Sequence, residues 1–163
     1  MASADRELPP PLYVDGRQSP TATAVQRGTM RLLHHHGYAS LAELTLKTGR
    51  RVDIAAINDR GHFIVVEIKS SREDFLSDNK WPEYLNWADQ FYFAVPIDFP
   101  QALIPSDQGL IIADQFGGKI LREATKTPLV AARRKALTVL FAKSAARRIF
   151  HMQDPKGPDS LIR

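Results

Sequence analysis

Between two runs rich in apolar and β-branched side chains stands Asn58-Asp59-Arg60-Gly61. The runs are Arg50-Arg51-Val52-Asp53-Ile54-Ala55 and Phe63-Ile64-Val65-Val66-Glu67-Ile68-Lys69. Asn, Asp and Gly tolerate positive φ, so the linking segment is turn chemistry and the runs form an antiparallel hairpin. Strand alternation then assigns faces: Glu67 and Lys69 go with Val65, while Val66 and Ile68 enter the opposite layer. On the first strand Asp53 shares a face with Arg51 and Ala55, leaving Val52 and Ile54 to fill the other. Asp53 and the Glu67/Lys69 pair converge at one end of the hairpin.

Such a trio has a use. Two carboxylates supply hard oxygen ligands for Mg2+ or Mn2+, ions that keep several waters and also accept phosphate oxygens. A lysine beside them would hold a water in line with a phosphodiester while the ion offsets charge building on the phosphate. An i,i+2 charge pair on a half-solvated strand would show the same letters. The apolar run leading directly into Glu67 and the position of the turn favour the chemical reading, because a carboxylate in such a strand is costly without a partner.

The rest of the chain reads in order. Residues 1–20 are Pro-rich, with Pro9-Pro10-Pro11 and Pro20, and are expected to form an extended or disordered arm. A helix is expected from Thr23 to about His36, stopped by Gly37, then a strand from Leu41 to Leu46 before the hairpin. Ser71-x-x-Asp74 is a cap for a helix toward Asn79, and Pro82 opens a second helical piece ending near Ala88. Phe91 to Val95 and Leu110 to Ala113 are buried strands, and Gly117-Gly118 turns the chain into Ile120 to Glu123. A tail helix follows from about Ala131 to Phe150. The expected core holds Val52, Ile54, Ile64, Val66, Ile68, Phe91, Phe93 and Val95.

With 163 residues, 44% of them hydrophobic, the chain suits one compact domain spanning 21–150, with 151–163 as a tail. It has no cysteine, so disulfides and cysteine-based zinc sites are excluded. No apolar run approaches a membrane span and no signal-peptide region opens the chain, so a soluble, cytoplasmic protein is expected. The formal net charge of +4 is unevenly spread. Glu67 to Asp89 carries six acids against three bases, whereas Ala131 to Phe150 carries six bases, Arg133, Arg134, Lys135, Lys143, Arg147 and Arg148, and no acid. That polarity suits cations held at one place and phosphates at another.

Arg50-Arg51-Val52-Asp53 together with Glu67-Ile68-Lys69-Ser70-Ser71 resembles the core of the PD-(D/E)XK nuclease superfamily. More narrowly, Val66 through Phe75, Asp78-Asn79-Lys80-Trp81-Pro82-Glu83-Tyr84 and Phe91-Tyr92-Phe93-Ala94-Val95-Pro96 are similar to the MmcB family of bacterial DNA repair proteins. The likeness continues through Gly109-Leu110-Ile111-Ile112-Ala113-Asp114 and the Arg/Ala-rich C-terminal segment, over roughly residues 20 to 150. It implies a restriction-endonuclease-like αβββαβ core, a central mixed α/β sheet flanked by helices. It also implies a Mg2+- or Mn2+-dependent endonuclease acting on DNA, with Asp53 and Glu67 as ligands and Lys69 orienting or activating water. Other repair proteins and a second copy of the chain are further candidate partners.

Two departures from the pattern stand out. The superfamily's usual Pro before the first Asp is Val52, and Thr21 to His36 has no acid to contribute from the first helix. Gln26 is the nearest polar residue there, and Glu43, on the following strand, is the candidate third metal-side group. A nuclease-fold module that binds DNA structures or a repair partner without cutting is the competing function.

Candidate nucleic-acid contacts are Arg51, Ser70, Ser71, Arg72, Lys80, Arg133, Arg134 and Arg147. Trp81, Tyr84 and Trp87, spaced by three, are expected to pack into the core rather than stack on bases. Asp74 is read as a cap and Asp78 as surface charge, while Asp89 is expected to bond backbone or a basic partner near the site. His34-His35-His36 cannot chelate one ion from consecutive helical positions and is expected to complement the helix C-terminus.

Overall fold

A computed structural model describes residues 17–156. Expectations for the N-terminal arm before Arg17 and for the tail after Lys156 lie outside these residues.

The first helix, α1, spans Pro20–His35. It starts where the Ser19 hydroxyl accepts the Ala22 N–H and Pro20 occupies a position whose N–H would have no intrahelical partner. His34 and His35 close its last turn and His36 caps it, Nδ1 lying 2.9 Å from the Leu32 carbonyl oxygen. Three antiparallel strands follow: β1 (Ala39–Thr45), β2 (Arg51–Ile57) and β3 (Phe63–Ile68). The β2–β3 turn forms as expected, with Asn58 Oδ1 accepting the N–H groups of Arg60 and His62 and Gly61 at φ 72°.

A short helix, α2 (Arg72–Ser77), is capped by Ser71 as expected, and a 3-10 stretch covers Trp81–Trp87. Strand β4 (Gln90–Val95) runs parallel to β3 and β5 (Gly109–Ala113) parallel to β4, while β6 (Gly118–Arg122) returns antiparallel. The six strands stand in sequence order, giving a mixed sheet with the αβββαβ order and a restriction-endonuclease-like core. Helix α3 (Ala131–Gln153) is the last element of the described chain. No helix among the described residues is long and apolar enough to cross a membrane.

Two apolar layers enclose the sheet. On one face Val25, Leu32 and Leu33 of α1 pack on Ile54, Ile64, Val66, Ile68, Tyr92, Ala94 and Ile111. On the other, Leu137 of α3 and Tyr84 pack with Val52, Ala55, Phe63, Val65, Phe91, Phe93 and Val95. All eight residues expected in the core are buried. Trp81 stacks on Phe91 at 5.9 Å between ring centroids, confirming the packing role of the Trp81–Trp87 aromatics.

One expectation about faces fails. Val52 and Ile54 do not share a layer: Val52 packs on the α3 side with Leu44, its partner on β1, and Ile54 on the α1 side. Alternation breaks at Glu43 and Asp53, which would oppose each other between the Ala42–Ile54 and Leu44–Val52 pairs. Glu43 has φ 54°, a left-handed backbone that costs a non-glycine residue free energy and disturbs the regular alternation within β1.

A candidate acidic site at the end of the central strands

The β2–β3 ladder ends at the Ile54–Val66 pair. One residue further on, Asp53 leaves the pairing pattern and its Oδ2 accepts the Ile68 N–H at 2.7 Å. Glu43, Asp53 and Glu67 therefore form a row of acids across three neighbouring strands. Glu67 is 7% exposed and Glu43 6%, so two of the three carboxylates are withdrawn from water.

Lys69 extends beyond β3 and is itself buried. Its Nζ lies 3.6 Å from Glu67 Oε1 and 2.5 Å from Asp78 Oδ2. Asp78 is thus not free surface charge: it holds the ammonium from the loop following α2. The first turn of α1 comes over the same place, and a cleft of about 300 Å3 opens there, bounded by Arg17, Ser19, Ala22, Asp53, Glu67, Lys69 and Asp74. Asp74 combines two positions, facing the cleft while its Oδ2 accepts the N–H and hydroxyl of Ser70 at 2.9 and 3.2 Å. Glu43 stays outside the cleft lining, 3.7 Å from an Arg51 guanidinium nitrogen, and its backbone oxygen accepts from Arg148. Gln26 is buried beneath, accepting a hydrogen bond from Gln18.

This arrangement strains the carboxylates. Burial raises Asp53 to about 6, outweighing the Ile68 N–H and the Lys69 charge, which lower it. Burial and the neighbouring Asp53 charge push Glu67 well above its ordinary value. The pair therefore resists carrying two negative charges near neutrality. Burial opposes the charge on Lys69, but Glu67 and Asp78 outweigh it, so the ammonium persists above the ordinary lysine range. At Asp78 burial raises and Lys69 lowers, with a net fall.

The donor set fits a hard divalent cation. Glu67 Oε2 and Glu43 Oε2 are buried with no hydrogen-bond partner among the described residues, a costly state for carboxylate oxygens. Among those residues no group of three or more His, Asp or Glu side chains is placed to cage an ion alone. Two carboxylates with water and substrate oxygens suffice for Mg2+ or Mn2+, which dehydrate reluctantly.

The strain gives an expected result. Between the ordinary Asp pKa near 4 and its folded value of about 6, the native state holds a proton that the unfolded chain has released. Stability of the metal-free protein therefore falls as pH rises through that window, by up to about 3 kcal/mol for two units. Asp53→Asn keeps an acceptor for the Ile68 N–H and removes the charge. In EDTA above pH 6 this variant melts roughly 3–8 °C higher than the wild type, from about 1–3 kcal/mol. Below pH 4 the two converge, and Mn2+ raises only the wild type. Thermal melts across pH check this, and a destabilised Asn variant at pH 8 would sink it.

The expected nucleic-acid contacts divide. Arg72 and Lys80 are exposed but are not among the residues that line the cleft, and Arg51 reaches toward Glu43. Ser70 bonds Asp74, and the Ser71 hydroxyl caps α2. Arg133 donates to the Asn86 carbonyl and lies 5.0 Å over the Trp87 ring. Arg134 is drawn inward instead: both terminal nitrogens bond Asp89, and one also donates to the Gly61 carbonyl. Asp89 takes backbone and a basic partner as expected, but at the far end of β3, where it also accepts the Phe63 N–H. Arg147 remains exposed.

A six-stranded mixed sheet flanked by helices, in the order αβββαβ, defines a restriction-endonuclease-like α/β fold. The chain matches the MmcB-like DNA repair protein family over residues 9–156 and belongs to that family. A solved structure of a protein of unknown function from Silicibacter pomeroyi is 41% identical, with a TM-score of 0.82, covering 86% of this chain and 96% of that one. No curated protein matches.

Proposed function

We propose that this DNA repair family member is a PD-(D/E)XK-type endonuclease that hydrolyses DNA phosphodiester bonds with Mg2+ or Mn2+. The observation carrying this reading is the Asp53/Glu67 pair, forced together at the end of a broken ladder with Lys69 3.6 Å from Glu67. Asp53 and Glu67 would hold the ion, with Glu43 behind them in the row. The bound ion supplies Lewis-acid charge to the phosphate and favours the ionised form of both carboxylates.

The chain's own groups do the rest. Lys69 acts as a fixed cation and hydrogen-bond donor, since its raised pKa leaves it poorly suited to accept a proton at neutral pH. Exchanging Asp78 for a substrate oxygen or water lets it orient the attacking water or steady phosphate charge. Ser19 and Ala22 at the start of α1 line the cleft, while Arg72 and Lys80, exposed and close in sequence to its lining residues Ser70 and Asp74 and to Asp78, would offer phosphate contacts.

Calorimetric titration of Mn2+ into wild type and Asp53→Ala/Glu67→Ala, beside cleavage of a panel of duplex, gapped, flap and branched DNA, tests the proposal. Wild type is expected to bind and cut, and the double variant to do neither. A second reading, a non-cutting DNA-binding module, is favoured by the engagement of Lys69 with Asp78. Metal silence and no cleavage, with DNA affinity intact, would select it.

A further inference from the structure

Helix α3 presents six Arg and Lys residues and no acid, and the fold sorts them into two sets. Arg133, Arg134 and Arg148 are engaged with protein: Asn86 and Trp87, Asp89, and the Glu43 carbonyl. Lys135, Lys143 and Arg147 are exposed and make no hydrogen bond or ion pair among the described residues. These three, with the exposed Lys47 from the β1–β2 turn, line a groove of about 480 Å3 with no acid among its described lining residues. Val139 and Leu140 contribute its apolar floor.

We propose that this groove is a docking site for a nucleic-acid phosphodiester backbone, separate from the acidic cleft. Charge complementarity identifies the occupant: four exposed cations with no acid among the described lining residues suit a polyanion of regular charge spacing. Lys135, Lys143 and Arg147 sit eight and four residues apart on one helix face, a span of about 18 Å. That equals the axial rise of about five nucleotides of one strand. The apolar floor would meet sugar faces between phosphates.

Its position links it to the cleft. Arg147 borders the groove while its neighbour Arg148 bonds the Glu43 carbonyl, in the row shared with Asp53 and Glu67. A duplex arm lying along α3 would therefore lead toward the acidic row. The proposal takes DNA as the substrate from the preceding reading, but needs no cleavage.

The test is fluorescence anisotropy of labelled duplex DNA in EDTA, over a salt series, with wild type and Lys47→Gln/Lys135→Gln/Lys143→Gln/Arg147→Gln. Because all four side chains are exposed, the variant is expected to melt as the wild type does. Its affinity should fall on the order of a hundredfold, and the slope of log affinity against log salt should flatten by about three to four, near 0.9 per lost phosphate contact. Neutralising Lys119 and Arg60, exposed cations outside the groove, provides the charge control and should move the slope little. Unchanged affinity and slope in the quadruple variant would overturn the proposal, as would an equal loss in the control. If binding is lost selectively but wild type never cuts, the groove stands and the nuclease reading fails. If wild type cuts and the quadruple variant cuts with unchanged KM, the nuclease reading stands and the groove fails.

Discussion

Lys69→Met should lower metal-dependent cleavage on the order of a thousandfold while leaving Mn2+ binding intact or tighter. The magnitude follows from losing a preorganised charged donor where charge develops in the transition state, typically worth 10²–10³ or more. The sign on metal affinity follows from geometry: Lys69 lies 3.6 Å from Glu67, so its ammonium competes with a cation for that carboxylate. Methionine approximates the buried volume without charge, so the change tests chemistry more than packing. Lys69→Arg keeps the charge but not the position, and should restore little. Single-turnover cleavage paired with calorimetry separates the effects. Unchanged cleavage in Lys69→Met would remove the lysine from the mechanism, whereas lost metal affinity would make it a structural prop of the acidic pair.

How much of this site was legible beforehand depends on the range of each interaction. The hairpin was, because the Asn58–Gly61 turn and the alternation through Val65, Val66, Glu67 and Ile68 are local. That Asp53 and Glu67 would meet followed from the same local facts. The face change between Val52 and Ile54 was not, since nothing in the residue type Glu announces a left-handed backbone at Glu43. Asp78 was misread as surface charge because its partner is set by how the α2 turn folds back on Lys69, a tertiary contact.

Helix α3 lies between these cases. Arg134, Leu137, Phe141 and Arg148 are spaced by three, four and seven, so the apolar pair already marked an inward stripe with an arginine at either end. Naming Arg133, Arg134 and Arg147 together as phosphate contacts missed that period. The cations left off the stripe include those that line the groove.

Arg134→Ala, for the same reason, should act on stability rather than on DNA. Asp89 and Asp53 each take a β3 backbone N–H, at opposite ends of the strand, yet their fates diverge. At Asp89 burial raises the pKa, but the Arg134 fork and the N–H groups of Phe63 and Leu129 outweigh it and bring the carboxyl down to about 2. Asp53 lacks such a fork and rises to about 6. Removing Arg134 leaves a carboxylate that is 2% exposed with backbone donors and the His62 ring 3.8 Å away, and breaking such a pair costs about 3–5 kcal/mol. Because Arg134 itself is partly open to solvent, which can fill part of the gap, the low end is expected, a fall in Tm of roughly 6–12 °C. A depressed carboxylate pKa contributes stability that is present above about pH 4 and lost as pH falls toward 2. The gap between wild type and variant should therefore be full at neutral pH and shrink on acidification below pH 4. Melts across that range, beside DNA binding at a temperature where both proteins are folded, decide the role. Unchanged Tm with weakened DNA binding would return Arg134 to the phosphate-facing set, whereas a pH-dependent loss of Tm with DNA affinity retained makes the Asp89–Arg134 fork the structural counterpart of the acidic row at the other end of β3.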